Sequence, residues 1–268
     1  MTETESWQVS SEAAEVYERS FVPAIFGAWA PVMAKAAGVG PGDRVLDVAC
    51  GTGALARHMV DRVGPAGAVT GLDINPAMLA VARRLEPRVD WQRGNATELP
   101  FDDAGFTRVV SQFGLMYVPD RIGALAEMWR VLAPGGRLAV AVWASVDEAP
   151  GYQTLVDVAI QHVTAEAASV FAAPFVLGDR GKMEKRVADA GIAPARIALE
   201  RGQIRFASVG ELVRIEVKGS PLAETMDEAA MERLAGACEA ALSRYVQPSG
   251  EIVMPIAAHI VTAEKPAA

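Results

Sequence analysis

The sequence predicts an α/β fold built on a mostly parallel sheet. Three observations predict it. Short β-branched, apolar runs alternate with helical stretches from Arg44 to Trp143. Turn signals separate them: Pro41-Gly42-Asp43, the stretch Gly64–Gly67 and Pro134-Gly135-Gly136. The chain has 268 residues, 51% of them hydrophobic, which is enough for a sizeable core and excludes disorder as a global description. Strands that alternate with helices pair in parallel through right-handed crossovers, and strands covered on both faces read as near-continuous apolar runs.

The elements follow in order. Residues 11–38 carry Ala13, Val16, Tyr17, Phe21 and Ile25 at helical spacing, with Pro23 and Pro31 expected to break the stretch into shorter pieces. Arg44–Cys50 reads as the first strand, Ala54–Val63 as a helix, Ala68–Ile74 as the second strand and Pro76–Leu85 as the next helix. Strands follow at Val89–Arg93, Arg108–Gln112 and Arg137–Trp143, the last two separated by a helix at Arg121–Leu132. After Pro150 the rhythm changes. Tyr152–Val163, Lys182–Ala190, Gly210–Lys218 and Glu228–Tyr245 read as helices and Ala173–Asp179 as a loop. Ala195–Phe206 alternates like a strand, and Ile252–Glu264 reads as a strand pair or one interrupted strand. The two late strands are expected to complete the sheet, with the helices among them forming a lid.

Charge and composition remove several classes. Lys+Arg total 25 against 33 Asp+Glu, a net charge of −8, which argues against nonspecific binding to nucleic acid or to an anionic membrane. Cys50 and Cys238 make neither a disulfide framework nor a four-ligand zinc site, and no metal site is expected. The acidic, polar start MTETESWQVSSEAAEVYERS has no signal-peptide pattern, no apolar run is expected to reach bilayer-spanning length, and a cytoplasmic location is expected.

The chemistry concentrates in three clusters. Val45–Gly53 is a strand, a glycine turn and a helix start; Gly51 and Gly53 let backbone approach a ligand, and Asp47 puts a carboxylate beside the mouth of the sheet. A tight turn with no ligand gives the same residues. Asp73 ends the second strand, where an acid accepts ribose hydroxyls; a helix cap is the competing role, but Asn75 is better placed for it. Gly94-Asn95-Ala96 follows the third strand, where an amide meets an adenine edge or simply makes a turn.

Together with Ser111–Pro119 and Arg130–Gly136, these clusters come in an order and at distances that resemble a class I S-adenosylmethionine-dependent methyltransferase, of the small-molecule branch of ubiquinone and menaquinone biosynthesis. The resemblance covers roughly residues 10–145 through its motifs and 150–268 through layout alone. It implies a Rossmann-like, doubly wound, mostly parallel seven-stranded sheet with an N-terminal helical segment and a helical lid inserted among the late strands. It implies one domain over 1–268, divided into a helical segment (1–39), a cofactor-binding core (40–145) and a lid with closing strands (146–268). The cofactor it implies is S-adenosylmethionine. Asp47 would hold its methionine end. Ala49, Cys50, Gly51 and Gly53 would line it with backbone. Asp73 would bind the ribose, Ile74 and Met78 would pack on the adenine, and Asn95 and Ala96 would meet the adenine edge. Many family members carry Asp where this chain has Asn95. Ser111 and Gln112 would sit beside the methionine moiety, and Tyr17 would cover the cofactor or pack beside Phe21 as a core aromatic.

The expected reaction moves a methyl group to an oxygen, nitrogen or carbon nucleophile of a small, apolar or aromatic acceptor by in-line displacement. Orientation alone supplies up to roughly 7–11 kcal/mol, and a general base adds about 10²–10⁴-fold. Phe113, Met116 and Trp143 are candidates for an apolar acceptor pocket or for core packing, which is favoured for Trp143, and Tyr117 is the best-placed residue to touch substrate. His162 and His259 are weaker candidates for a base, with a structural role favoured for each, and His58 is placed on an outer face. The partners expected are a small-molecule acceptor and, among oligomeric forms, a homodimer, with no nucleic acid and no stable membrane insertion. Two other functions fit part of the pattern. Gly51–Ala56 with Asp73 satisfies the dinucleotide fingerprint of a nicotinamide-dependent oxidoreductase, but Asp47 and the later clusters have no role there. The other is a non-catalytic cofactor-binding protein that acts through a partner; the intact glycines and both aspartates disfavour it.

Overall fold

The computed structural model describes residues 10–267. Seven strands form one sheet: β1 (Arg44–Val48), β2 (Ala68–Asp73), β3 (Asp90–Arg93), β4 (Phe106–Gln112), β5 (Leu132–Trp143), β6 (Ala195–Phe206) and β7 (Ile252–Glu264), in the order 3-2-1-4-5-7-6. The first five pair in parallel; β7 lies antiparallel between β5 and β6. The helices are α1 (Ser11–Val16), α2 (Ala30–Ala37), α3 (Ala54–Val63), α4 (Pro76–Leu85), α5 (Arg121–Val131), α6 (Pro150–His162), α7 (Ala165–Ala172), α8 (Arg180–Asp189), α9 (Val209–Lys218) and α10 (Glu228–Ala241). Both α2 and α5 pack on β4 and β5, α2 beside α3 and α5 beside α8, so they cover opposite faces. This is the doubly wound α/β architecture that the sequence predicts.

Caps start the helices where the sequence places polar residues. Asn75 Oδ1 accepts the amides of Ala77 and Met78 at 2.8 and 3.4 Å, Asp120 caps α5 and Asp179 caps α8. At the far end of α5, Lys265 Nζ donates to the carbonyls of Trp129 and Leu132, both at 2.7 Å. A cation there answers the helix's unpaired C-terminal carbonyls.

Several boundaries depart from expectation. Pro23 does not break the N-terminal stretch. Residues Tyr17–Phe26 wind as a π-helix that carries Pro23 inside it, and a single 3₁₀ turn, Gly27–Trp29, leads into α2, where Pro31 sits in the first turn. Ser11–Ala37 therefore runs as 27 helical residues with a window of mean hydropathy 1.2, long and apolar enough by length and composition to cross a membrane. The expectation that no run reaches that length is corrected. Phe21, Ile25, Trp29, Met33 and Ala37 of this stretch are buried in the core. Leu132 belongs to β5, which runs through Pro134-Gly135-Gly136 as an irregularity opposite Thr107, with Gly135 at φ +73°. The first strand ends at Val48, before Cys50. Ala165–Ala172 is a helix the sequence reading missed, followed by a 3₁₀ turn at Ala173–Phe175 inside the expected loop. The helix from Glu228 ends at Ala241, before a separate turn at Ser243–Tyr245. Ile252–Glu264 is one unbroken strand. Pro255 stands where β7 pairs with β6 alone, and a residue without an N–H is tolerated there.

Candidate active site

The strand order reverses between β1 and β4, and their carboxyl ends open there into a crevice where such folds bind ligands. Two residues at this edge are held in left-handed backbone despite carrying Cβ atoms: Ala49 and Phe113, both at φ +56°. Strain of this kind persists where surrounding packing over-determines it, and it clusters at ligand sites. The crevice continues into a cavity of about 250 Å³ that reaches from Asp47 and Asp73 to the lid.

The inner end is polar. Asp47 is 1% exposed, and among the described residues neither carboxylate oxygen has a hydrogen-bond partner. Burial pushes its pKa up to about 8; the nearby Ala56 amide offsets part of that and the charge of Asp73 adds to it. Asp73 is also buried. Its Oδ2 accepts the Gly51 amide at 2.7 Å and its Oδ1 the Asn75 amide at 2.8 Å, which clamps the glycine turn to the end of β2. Burial raises its pKa and these amides restrain the rise. Each carboxylate oxygen retains a second lone pair for a ligand hydroxyl. Gln112 Nε2 donates to the Phe26 carbonyl at 3.1 Å, while its Oε1 and the Ser111 hydroxyl are buried without partners among the described residues. Burial, then the two aspartates, raise the Cys50 thiol well above its ordinary value, so it is not an activated nucleophile.

The outer end is aromatic. Phe113 and Trp143 stack at 3.7 Å between centroids, Trp29 meets both edge-on at 5.5 Å, and Tyr17 stacks on Phe26 at 5.2 Å. Phe26, Val170, Phe175 and Ile256 continue the apolar wall. Two close approaches bring the lid over it. A Cβ on Gly151 would overlap Met254, so the first turn of α6 lies against β7 and sets Tyr152 in the wall. A Cβ on Gly219 would overlap the Phe21 ring, so the end of α9 closes on the N-terminal stretch and sets Glu216 there too.

Twelve of the residues expected at the site line this cavity: Tyr17, Asp47, Ala49, Cys50, Gly51, Asp73, Ile74, Met78, Gln112, Phe113, Tyr117 and Trp143. Seven do not. Gly53 sits over the Trp91 ring, which fills the space beneath the turn. The Asn95 side-chain oxygen accepts the Thr97 amide at 3.0 Å, and Ala96 is buried beside it. Ser111 and Met116 are buried behind the wall. His162 is exposed at the end of α6. His259 faces the Gly178 carbonyl at 3.0 Å, and strand alternation puts it on the sheet face opposite Ile256. The sequence reading missed Phe26, Tyr152, Phe175, Glu216 and Ile256. One signal marked Glu216: it falls in the apolar series Val209, Leu212, Val213, Glu216 at i, i+3, i+4, i+7.

The donor set fits S-adenosylmethionine. An uncompensated buried carboxylate calls for a cation, Asp73 calls for hydroxyls, and both open onto an aromatic wall. Comparison with known proteins points the same way. The model of the ubiE/COQ5 methyltransferase family matches residues 20–175, more than half of the chain. A demethylmenaquinone methyltransferase of Listeria welshimeri is 39% identical over 149 residues, 54% of this chain and 63% of that protein. The chloroplastic 2-phytyl-1,4-beta-naphthoquinone methyltransferase of Arabidopsis thaliana is 41% identical over 120 residues, 42% of this chain and 46% of that one. The match thus spans less than two thirds of either relative's length. Among solved structures, the YcgJ protein of Bacillus subtilis superposes with a TM-score of 0.61 at 17% identity, over 90% of this chain and 99% of that one. Phosphoethanolamine N-methyltransferase 2 of Haemonchus contortus, with S-adenosylmethionine bound, superposes at 0.62 and 18% identity, over 96% of this chain and 57% of that one. At these identities the two structures speak to the fold alone. Motif order, sheet order and the matched segment agree: this chain belongs to the ubiE/COQ5 methyltransferase family.

Proposed function

We propose that the protein is an S-adenosylmethionine-dependent methyltransferase acting on a small, apolar or aromatic acceptor. The observation that carries this reading is Asp47, a buried carboxylate with both oxygens unbonded among the described residues, at the mouth of a sheet whose neighbouring strand ends in Asp73. In this reading Asp47 pairs with the ligand's ammonium group, and Asp73 accepts from its ribose hydroxyls. The Gly51 turn lies along the ligand, and Ile74 and Met78 pack on its base. When bound, the sulfonium supplies an activated methyl group. The chain's own contribution is orientation and exclusion of water. Phe113 and Trp143 hold a flat acceptor, and Tyr17, Tyr152 and Phe175 close the cavity over it. A single domain divided at residues 39 and 145 belongs to the same reading, as does a cytoplasmic location, consistent with the free thiols Cys50 and Cys238.

Thermal melts with S-adenosylmethionine, S-adenosylhomocysteine and NADH test the cofactor. A ligand at a hundredfold its dissociation constant adds about 2.7 kcal/mol of stability. The first two are expected to raise Tm and NADH to leave it unchanged; the reverse pattern overturns the reading. Formation of S-adenosylhomocysteine with members of an apolar aromatic acceptor panel tests the acceptor class.

A further inference from the structure

Among the described residues, Glu216 is the buried carboxylate that cofactor binding leaves unused. It is 8% exposed, lines the cavity, and lies on the lid helix α9 rather than at the polar end of the sheet. Its Oε1 accepts the Tyr152 hydroxyl at 2.5 Å; among the described residues its Oε2 accepts no hydrogen bond. The same cavity is lined by Val170, Phe175, Ile256 and the Phe113–Trp143 stack. Among the described lining residues there is no histidine, lysine or arginine, and the other carboxylates, Asp47 and Asp73, belong to the inner end. A carboxylate in an apolar wall is costly unless something needs it.

We propose that Glu216 is the general base of this cavity, and that the acceptor it serves is an apolar aromatic ring bearing a hydroxyl group. The proposal rests on the methyltransferase reading and names its acceptor class. The hydroxyl O–H breaks and its proton passes to Glu216 Oε2. The electron pair left on oxygen forms the new bond to the methyl carbon, and the pair of the breaking S–CH₃ bond stays on sulfur. Tyr152 holds the carboxylate in place by donating to Oε1.

The electrostatics suit the task. Burial raises Glu216 to about 7, with the Tyr152 hydrogen bond holding it down somewhat, so both protonation states are accessible near neutrality. The titratable groups facing it are Tyr152 and Tyr117, both raised by their burial, with the charge of Glu216 next. On α9 itself the other charges pair: Arg214 with Glu211, and Lys218 with Glu228 of α10. On the N-terminal stretch, Glu18 pairs with Arg57.

Glu216→Gln tests this, because an amide oxygen still accepts from Tyr152 and the shape is kept. With a panel of hydroxynaphthalenes and phenols, kcat is expected to fall about 10²–10⁴-fold. The acid limb of the kcat profile near pH 7 should disappear, and S-adenosylhomocysteine affinity by calorimetry should stay within twofold. Acceptors with more acidic hydroxyls should lose less. A second readout needs no turnover: in protein labelled with ¹³C-carboxyl glutamate, the resonance absent from Glu216→Gln should titrate near 7 and shift when 2-naphthol is added with S-adenosylhomocysteine bound. Tyr152→Phe should move that titration upward. A wild-type kcat in Glu216→Gln, or a Glu216 resonance that titrates in the ordinary glutamate range or ignores 2-naphthol, overturns the proposal and leaves the methyltransferase reading standing. Failure of the wild-type protein to bind S-adenosylhomocysteine at all removes the reading beneath it, and the proposal with it.

Discussion

Asp47→Asn should make the ligand-free protein more stable while ruining its cofactor site. Burial raises the Asp47 pKa from 3.8 in the unfolded chain to about 8 in the fold. A raised acid contributes its full stability below the unfolded value and loses it as pH climbs through the folded one. At pH 7 the unfolded chain carries an ionised Asp47 and the folded chain a protonated one. Three units at 1.36 kcal/mol each put the cost on the order of 4 kcal/mol. Asparagine removes the ionisation but leaves a buried amide, which costs about 1–3 kcal/mol wherever it is not hydrogen-bonded. The net gain at pH 7 is then about 1–3 kcal/mol, or several degrees in Tm for a chain of this size. The gain is pH-dependent. From pH 5 to pH 8 the difference between variant and wild type should widen by roughly 3–4 kcal/mol, read by thermal or urea unfolding at each pH. Glu216 titrates in the same window but is common to both proteins and cancels. With S-adenosylmethionine added the order should invert, because only the wild type offers a carboxylate to the ammonium group. A difference that stays flat between pH 5 and 8 would mean that Asp47 is solvated, and the reasoning about its unbonded oxygens would fail.

Three further outcomes follow from the same structure. Asp73→Ala should weaken S-adenosylmethionine binding more than tenfold by calorimetry while the circular dichroism spectrum is kept; unchanged affinity would remove the ribose assignment. Gly53→Ala puts a Cβ into the Trp91 ring at a position of φ +83° and should cost about 2–4 kcal/mol in urea unfolding, with indole fluorescence altered; a cost under about 0.5 kcal/mol would show that the ring moves freely. Lys265→Met removes the donor to the Trp129 and Leu132 carbonyls and should cost about 1–2 kcal/mol with no effect on cofactor affinity.

Legibility differed along the chain for physical reasons. The α/β core was readable because its signals are local. A β-branched run such as RVLDV, a glycine turn and an Asn75 cap each act within a few residues, so strand, turn and helix follow from neighbours in sequence. The single stretch Ile252–Glu264 was harder, since Pro255 reads as a break until one sees that β7 lacks its β5 partner at that point. Pro23 misled in the same way: the backbone widens around it within a helix held on the core by Phe21 and Ile25.

The site divides along the same line. Asp47, Gly51 and Asp73 could be named from the sequence because each ends or follows a strand, and parallel strands deliver their carboxyl ends to one edge. Asn95 stands outside the cavity lining, its side-chain oxygen taken up by the local turn with Thr97. His259 was a candidate until strand alternation put it on the sheet's other face. By itself the sequence determined the sheet, its switch point and the acidic pair at the mouth. Only the tertiary structure decided which lid side chains meet there. Tyr152 and Glu216 lie 64 positions apart, joined by a hydrogen bond that no periodicity encodes. The close contacts at Gly151 and Gly219 bring them together, and such packing is a property of two surfaces rather than of either segment.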